Sequence, residues 1–367
     1  MIAIAGAGPA GAAAAILLAQ GGREVTLVER ERVAGHKVCG EFISREAVAD
    51  LASAGVDVAA LGACRIGRVR LVRGARVVEA ALPFVAASLT RRALDAALQA
   101  RAEACGVRLL RGQAVRGLRR DALELDGGGE VRASAVFLAT GKHELRGHRR
   151  VAPGAGAPGL VGFKTYWRLA PAQAVALAGH VEVLLFHDAG RAGGGGTYGG
   201  LQPVEGGCAN LCLLVSRARL VAAGGRWDAV LAGLCEECGH LRARLDGAVP
   251  LLERPLSIAG VPYGFVHRGA DDGVFRLGDQ AAVIPSFSGD GIAIALHSAG
   301  LAARVVLGGG GPAEYARRMR ADVARPMRVA RALSGLGQTR AGQAALMAAC
   351  GVWPGVIRAA ALGTRVG

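Results

Sequence analysis

The sequence predicts an α/β chain built from a Rossmann-type dinucleotide-binding domain, an inserted antiparallel β-sheet domain and a helical C-terminal segment. Three observations carry this. Residues 1–29 read as strand, glycine turn, helix and strand ending on an acid; from Leu160 the pattern changes to antiparallel strands; and Val274–Asp279 reads as a strand that returns to the first domain, followed by a glycine-containing loop and a long helix. The expected division is 1–65, 86–155 and 256–306 for the cofactor domain, 66–85 and 156–255 for the substrate sheet, and 307–367 for the C-terminal helices.

The first unit is the most informative. Ile2 and Ile4 mark a short buried strand that runs into Gly6-Ala7-Gly8-Pro9-Ala10-Gly11, an alanine-rich helix to about Gln20, and a second strand, Val25 to Val28, which ends at Glu29. Gly6 allows the tight turn, Gly8 lets the backbone approach a pyrophosphate, and Gly11 lets the helix pack closely on the strand. The helix N-terminus offers free N–H groups to phosphates, and Glu29 is placed to accept a ribose hydroxyl. Gly154 to Gly159 also matches the glycine spacing, but no helix can follow it, so it reads as a loop.

Composition narrows the field. The net charge of +15 raises nucleic acid as a partner, but the arginines are scattered, aromatics are only 4%, and no recognition motif appears, so nucleic acid is not expected. No run of about 18 apolar residues suggests a membrane span, and the N-terminal stretch lacks the basic start of a signal peptide; the expectation is a cytoplasmic protein with reduced thiols. Cys235-Glu236-Glu237-Cys238 lacks a second pair for zinc and reads as thiols on one face of a helix from Arg226 to Leu245.

Along the chain, Val38-Cys39-Gly40-Glu41-Phe42-Ile43-Ser44 forms a polar loop before a helix from about Arg45, in reach of a bound cofactor. A helix opens at Arg91 after Ser88-Leu89-Thr90 and stops at Gly106. A β-ribbon spans Leu118 to Val131, and Ala135 to Ala139 is a buried strand ending at Thr140-Gly141. In the antiparallel block, Lys164, His187, Tyr198 and Gln202 are strand residues that could face substrate. Asp279 ends its strand beside a glycine, where it can bond sugar-like hydroxyls, and Gly289 and Gly291 present backbone N–H groups at a helix start. The basic residues from Pro312 onward read as a solvated helical face, with peripheral membrane contact as the other reading.

These residues together resemble the flavoprotein monooxygenases of the para-hydroxybenzoate hydroxylase fold and their relatives, the geranylgeranyl reductases. The resemblance spans roughly Met1 to Ala330 and implies FAD, with NAD(P)H as a transient reductant. It implies that Arg91 contacts the diphosphate or ribityl region, that Val115 meets the adenine, that Asp279 holds the ribityl chain, and that the backbone from Gly289 to Ile292 faces the flavin pyrimidine. The candidate cofactor residues are then Gly6, Gly8, Pro9, Ala10, Gly11, Glu29, Arg30, Cys39, Gly40, Arg91, Val115, Thr140, Gly141, Asp279, Pro285, Gly289, Gly291 and Ile292; the candidate catalytic residues are Cys39 and Tyr198.

Two signals within the resemblance point different ways. The Cys39-Gly40 segment is similar to the cysteine-glycine segment of the reductases, whereas Tyr198-Gly199-Gly200-Leu201-Gln202-Pro203 keeps only Tyr198 and Pro203 of their cavity pattern. Thr140-Gly141-Lys142-His143 lacks the Asp-Gly of the hydroxylases, and the tryptophan-rich motif of halogenases is missing. The leading expectation is a monooxygenase that uses O2, activated at the flavin C4a, on an aromatic or lipid-like small molecule. A flavin-dependent alkene reductase and a non-catalytic flavin-bearing protein are the alternatives.

Overall fold

Short apolar strands alternating with helices build a parallel sheet. The computed structural model describes residues 1–150, 159–187, 196–269, 273–353 and 355–366. Among these residues, Ile2–Ala5 is the central strand of a five-stranded parallel sheet; Val25–Glu29 and then Arg108–Arg111 lie to one side, and Ala135–Leu138 and then Val274–Arg276 to the other. Val274–Arg276 therefore returns to this sheet after the long excursion. The helices Pro9–Gln20, Arg91–Ala104 and Gly291–Leu307 pack on it and share one apolar core with Ile4, Leu27, Phe137 and Phe275. Alanine dominates the first helix because its neighbours approach closely, and Ala12 to Ala15 are buried.

A second sheet holds nine strands among the described residues. Its order is Val249–Pro250, Leu160–Arg168, Cys208–Ser216, Tyr198–Val204, His180–Leu185, Cys64–Arg73, Arg76–Ser88 and Phe42–Ile43, with Leu256–Ala259 also paired to Leu160–Arg168. The pairings are antiparallel except that His180–Leu185 runs parallel to Cys64–Arg73. The period of two sorts its faces. Ala209, Leu211, Leu213 and Val215 point into a core shared with the helices Trp227–Glu237 and Gly239–Leu245, whereas Leu214 joins Leu71, Leu185, Leu346 and Met347 on the other side. That other side is closed by Arg340–Val352 and Gly355–Gly363. The expected ribbon is part of a three-stranded antiparallel sheet, Val115–Arg119, Ala122–Leu125 and Glu130–Arg132.

Two expectations need correction. The helix from Arg226 to Leu245 is broken: Cys238 is extended (φ −121°, ψ 92°) and caps the second helix, its Sγ accepting from Leu241 N–H at 3.4 Å and donating to the Gly74 carbonyl at 3.3 Å. The thiols of Cys235 and Cys238 thus do not share one helix face. His187 lies beyond the end of its strand at Leu185 and is exposed. The loop reading of Gly154 to Gly159 falls on positions outside the described residues except Gly159. Among the described residues, no single helix is long and apolar enough to cross a membrane.

Candidate active site

A cleft of about 660 Å³ runs over the C-terminal ends of the parallel strands. Gly6, Gly8, Pro9, Ala10, Glu29, Arg30 and Val115 line one part, and Cys39, Arg91, Thr140, Gly141, Asp279, Gly291 and Ile292 line the remainder. Most of the residues singled out from the sequence are therefore brought together. Gly11 is not at the surface of the cleft: a Cβ there would stand 1.9 Å from the Gly6 carbonyl oxygen, so it serves the turn itself. Gly40 and Gly289 border a second cavity, and Pro285 is buried just before it.

The turn offers donors and bare backbone. Gly6 has φ +100° and its missing Cβ would stand 2.5 Å from the Ala139 carbonyl oxygen. The Glu29 carboxylate accepts from Ala7 N–H at 2.8 Å and Glu31 N–H at 3.1 Å, which fixes it at the rim. Above Gly8 stands the Arg91 guanidinium, held by two 2.8 Å bonds to Asp95. Burial works against that charge, but Asp95 more than offsets it, and the pKa of Arg91 is raised. Asp279 pairs with Lys142 at 3.8 Å, and Gln280 donates to Thr140 Oγ1 and to the carbonyls of Gly141 and His143. Lys142 and Gln280 were not among the expected site residues, because each acts through a partner far away in the chain. The long cleft, the helix N-terminus at Gly8 and the carboxylate at Glu29 fit a dinucleotide.

The second cavity, about 210 Å³, lies between the nine-stranded sheet and the C-terminal helices. Val69, Leu71, Val181 and Val183 form its sheet side, and Leu346, Cys350, Val356 and Ile357 its helical side. It adjoins the cleft: Gly40 and Gly289 line the cavity, while Cys39, next to Gly40, and Gly291, two residues after Gly289, line the cleft. In its wall the Tyr198 hydroxyl pairs with Ser286 Oγ at 2.6 Å, and Phe287 sits edge-on to the Tyr198 ring at 5.5 Å. Burial raises the pKa of Tyr198 and keeps it a neutral phenol. Gln202 also lines the cavity and donates to Ser88 Oγ at 2.6 Å. Lys164 does not face it: its side chain is fully buried against Glu41.

Asp290, between the two glycines, is fully buried and paired with Arg365, whose guanidinium lies over the rings of Phe42 and Phe84 at 5.7 and 5.1 Å. Burial pushes the Asp290 carboxyl up to about 6 from an ordinary 3.8, against the pull of Arg365. Since the folded value is the higher, the stability linked to this group is full below 3.8 and is lost as pH rises through about 6; the difference corresponds to about 3 kcal/mol. The variant Asp290→Asn is expected to flatten the pH dependence of the melting temperature between these values and to gain on the wild type at alkaline pH. Melting curves across that range check it; parallel curves for the two proteins would contradict it.

The fold and cleft define an FAD-dependent oxidoreductase with the architecture of para-hydroxybenzoate hydroxylase-type flavoproteins, and residues 1–147 match the sequence model of a family described as FAD binding domain. More particularly, the chain is 27% identical over 327 residues to the menaquinone reductase of Mycolicibacterium smegmatis, covering 84% of this chain and 76% of that protein. Among solved structures, the flavin-dependent brominase Bmp2 superposes with a TM-score of 0.78 at 17% identity, covering 100% of this chain and 94% of the brominase. A flavoprotein/dehydrogenase from Cytophaga hutchinsonii superposes with a TM-score of 0.75 at 18% identity, covering 91% and 86%.

Proposed function

We propose that the protein is an FAD-dependent reductase of a carbon–carbon double bond in an apolar, isoprenoid-type chain. The observation that carries this reading is that the two cavities adjoin: an apolar cavity, suited to a hydrocarbon chain, is lined by Gly40, whose chain neighbour Cys39 lines the FAD cleft. Similarity to menaquinone reductases over most of the chain supports it, because menaquinone carries a polyprenyl chain on its ring. Reduced FAD, when bound, supplies a hydride. Gly6, Gly8 and Arg91 would hold the pyrophosphate, Glu29 the ribose, Val115 the adenine and Asp279 the ribityl chain. The helix starting at Gly291 would offer its N-terminus to the negative charge of the reduced flavin.

Addition of a hydride to one alkene carbon requires a proton at the other. Cys39 lines the cleft beside the junction, and its Sγ accepts from Glu41 N–H at 3.3 Å; its thiol would hold that proton. Tyr198 and Ser286 would orient the substrate at the end of the cavity. The variant Cys39→Ala is expected to keep its FAD and lose about 100-fold in turnover, the loss typical of a missing general acid. Turnover within a few-fold of wild type would remove Cys39 from this role.

A second reading, hydroxylation of an aromatic ring, draws on the Tyr198–Ser286 pair, which could hold a phenol. Oxygen separates the two. The protein would be reduced under nitrogen and mixed with a polyprenyl substrate: a product gaining two hydrogens without O2 supports the reductase. Product formed only after O2 is admitted, and carrying its oxygen, would support the hydroxylase instead.

A further inference from the structure

Glu41 is the single non-glycine with positive φ, +63°, among the described residues, and its carboxylate is fully buried. Such a backbone is sterically disfavoured for any residue with a Cβ and persists only where surrounding contacts impose it. Here they do. Oε1 accepts from Arg91 N–H at 2.6 Å and from the Tyr166 hydroxyl at 2.7 Å, and it pairs with Lys164 Nζ, while the buried Oε2 has no hydrogen-bond partner. Lys164, also fully buried, donates to the Lys37 carbonyl at 3.0 Å, and Asn210 Nδ2 reaches the carbonyls of Cys39 and Gly40 at 3.2 and 3.0 Å.

The anchors come from one face of the nine-stranded sheet. Tyr166 stands opposite Asn210 in the register, and Lys164 lies two residues before Tyr166. A buried ion pair contributes little net stability, since desolvating both charges offsets their attraction, but it constrains direction strongly. Three donors converging on one oxygen fix a carboxylate that follows the thiol by two residues.

We propose that Glu41 is a positioning residue that sets the Cys39 thiol at the junction of the two cavities, with Lys164, Tyr166 and Asn210 as its anchors. The role extends the reductase reading, in which Cys39 holds a proton, but the position of the thiol can be measured without turnover. The test compares the FAD-loaded wild type with Glu41→Gly/Lys164→Met, where glycine accepts the backbone conformation and methionine leaves no stranded cation. Alkylation by iodoacetamide is followed at each cysteine by peptide mass spectrometry.

The expected result is at least a ten-fold faster alkylation of Cys39, with Cys64 and Cys208 unchanged, and a fall in kcat with KM retained. Glu41→Gln/Lys164→Met keeps an acceptor at Oε1 and should stay within two-fold of wild type at Cys39. A rate at Cys39 unchanged in the glycine variant, or an equal rise at Cys64 and Cys208, would overturn the proposal. Should the glycine variant not fold, Asn210→Leu removes the two bonds to the Cys39 and Gly40 carbonyls, and the same selective rise is required of it. If the wild type shows no reductase turnover, the reductase reading fails while the alkylation rates still decide the placement of Cys39.

Discussion

Protein carrying Gly11→Ala is expected to purify without FAD. The added methyl carbon would stand 1.9 Å from the Gly6 carbonyl oxygen and 3.2 Å from the Ala139 Cβ. Neither contact is with the end of a flexible side chain, so relief must come from moving the turn or the helix away from the strand. Either movement takes Gly8 and the helix N-terminus out of register with Arg91. A cost of about 3 kcal/mol or more corresponds to over 100-fold in FAD affinity. Flavin absorbance per protein, with a titration of FAD into the stripped variant, measures it. A variant as yellow as the wild type would mean that this turn does not cradle the pyrophosphate.

The second large effect lies away from the cofactor. Glu182 is fully buried in the His180–Leu185 strand and accepts from Arg244 at 2.8 Å, Arg70 at 3.1 Å and His240 at 2.9 Å. Burial alone would raise its pKa, but the bonds from His240 and Arg244 outweigh that and hold it at about 2. Stability linked to this carboxylate is therefore present above its ordinary 4.5 and is lost as pH falls through about 2. The variant Glu182→Ala leaves the buried guanidinium of Arg244 uncompensated, which costs about 3–5 kcal/mol. The melting temperature should fall on the order of 10 °C at neutral pH, and the difference from wild type should shrink in acid. A change of only a degree or two would show that Arg244 finds another partner.

The cofactor cleft was legible because its parts are local. The glycines of the first turn, the strand before them and Glu29 lie within thirty residues, and each has a steric or hydrogen-bonding reason for its position. Pairing across the chain was not. Strand alternation placed Lys164 and Tyr198 both toward a substrate, and indeed each lies on the same side of the sheet, but one end of that face meets the 35–41 loop and the other meets the C-terminal helices. Which neighbour covers which half of a face depends on tertiary packing. The helical break at Cys238 was equally hidden, since a thiol carries no capping signal comparable to serine or aspartate. The apolar faces of Arg340–Val352 and Gly355–Gly363 were readable as helical, yet nothing in them named the sheet they would close.

The parallel pairing of His180–Leu185 with Cys64–Arg73 also dictates an order of assembly on the ribosome. The hairpin made by Cys64–Arg73 and Arg76–Ser88 emerges first, and its inner edge must wait for about ninety further residues before a partner exists. An unpaired edge of that length invites association with other nascent chains. Arg65, Arg68, Arg70 and Arg73 sit along it; Glu79 of the same hairpin receives Arg68 and Arg70, and the net positive charge that is left opposes such encounters until Glu182 also receives Arg70. The same arginines that join the finished sheet thus guard its unfinished edge during synthesis.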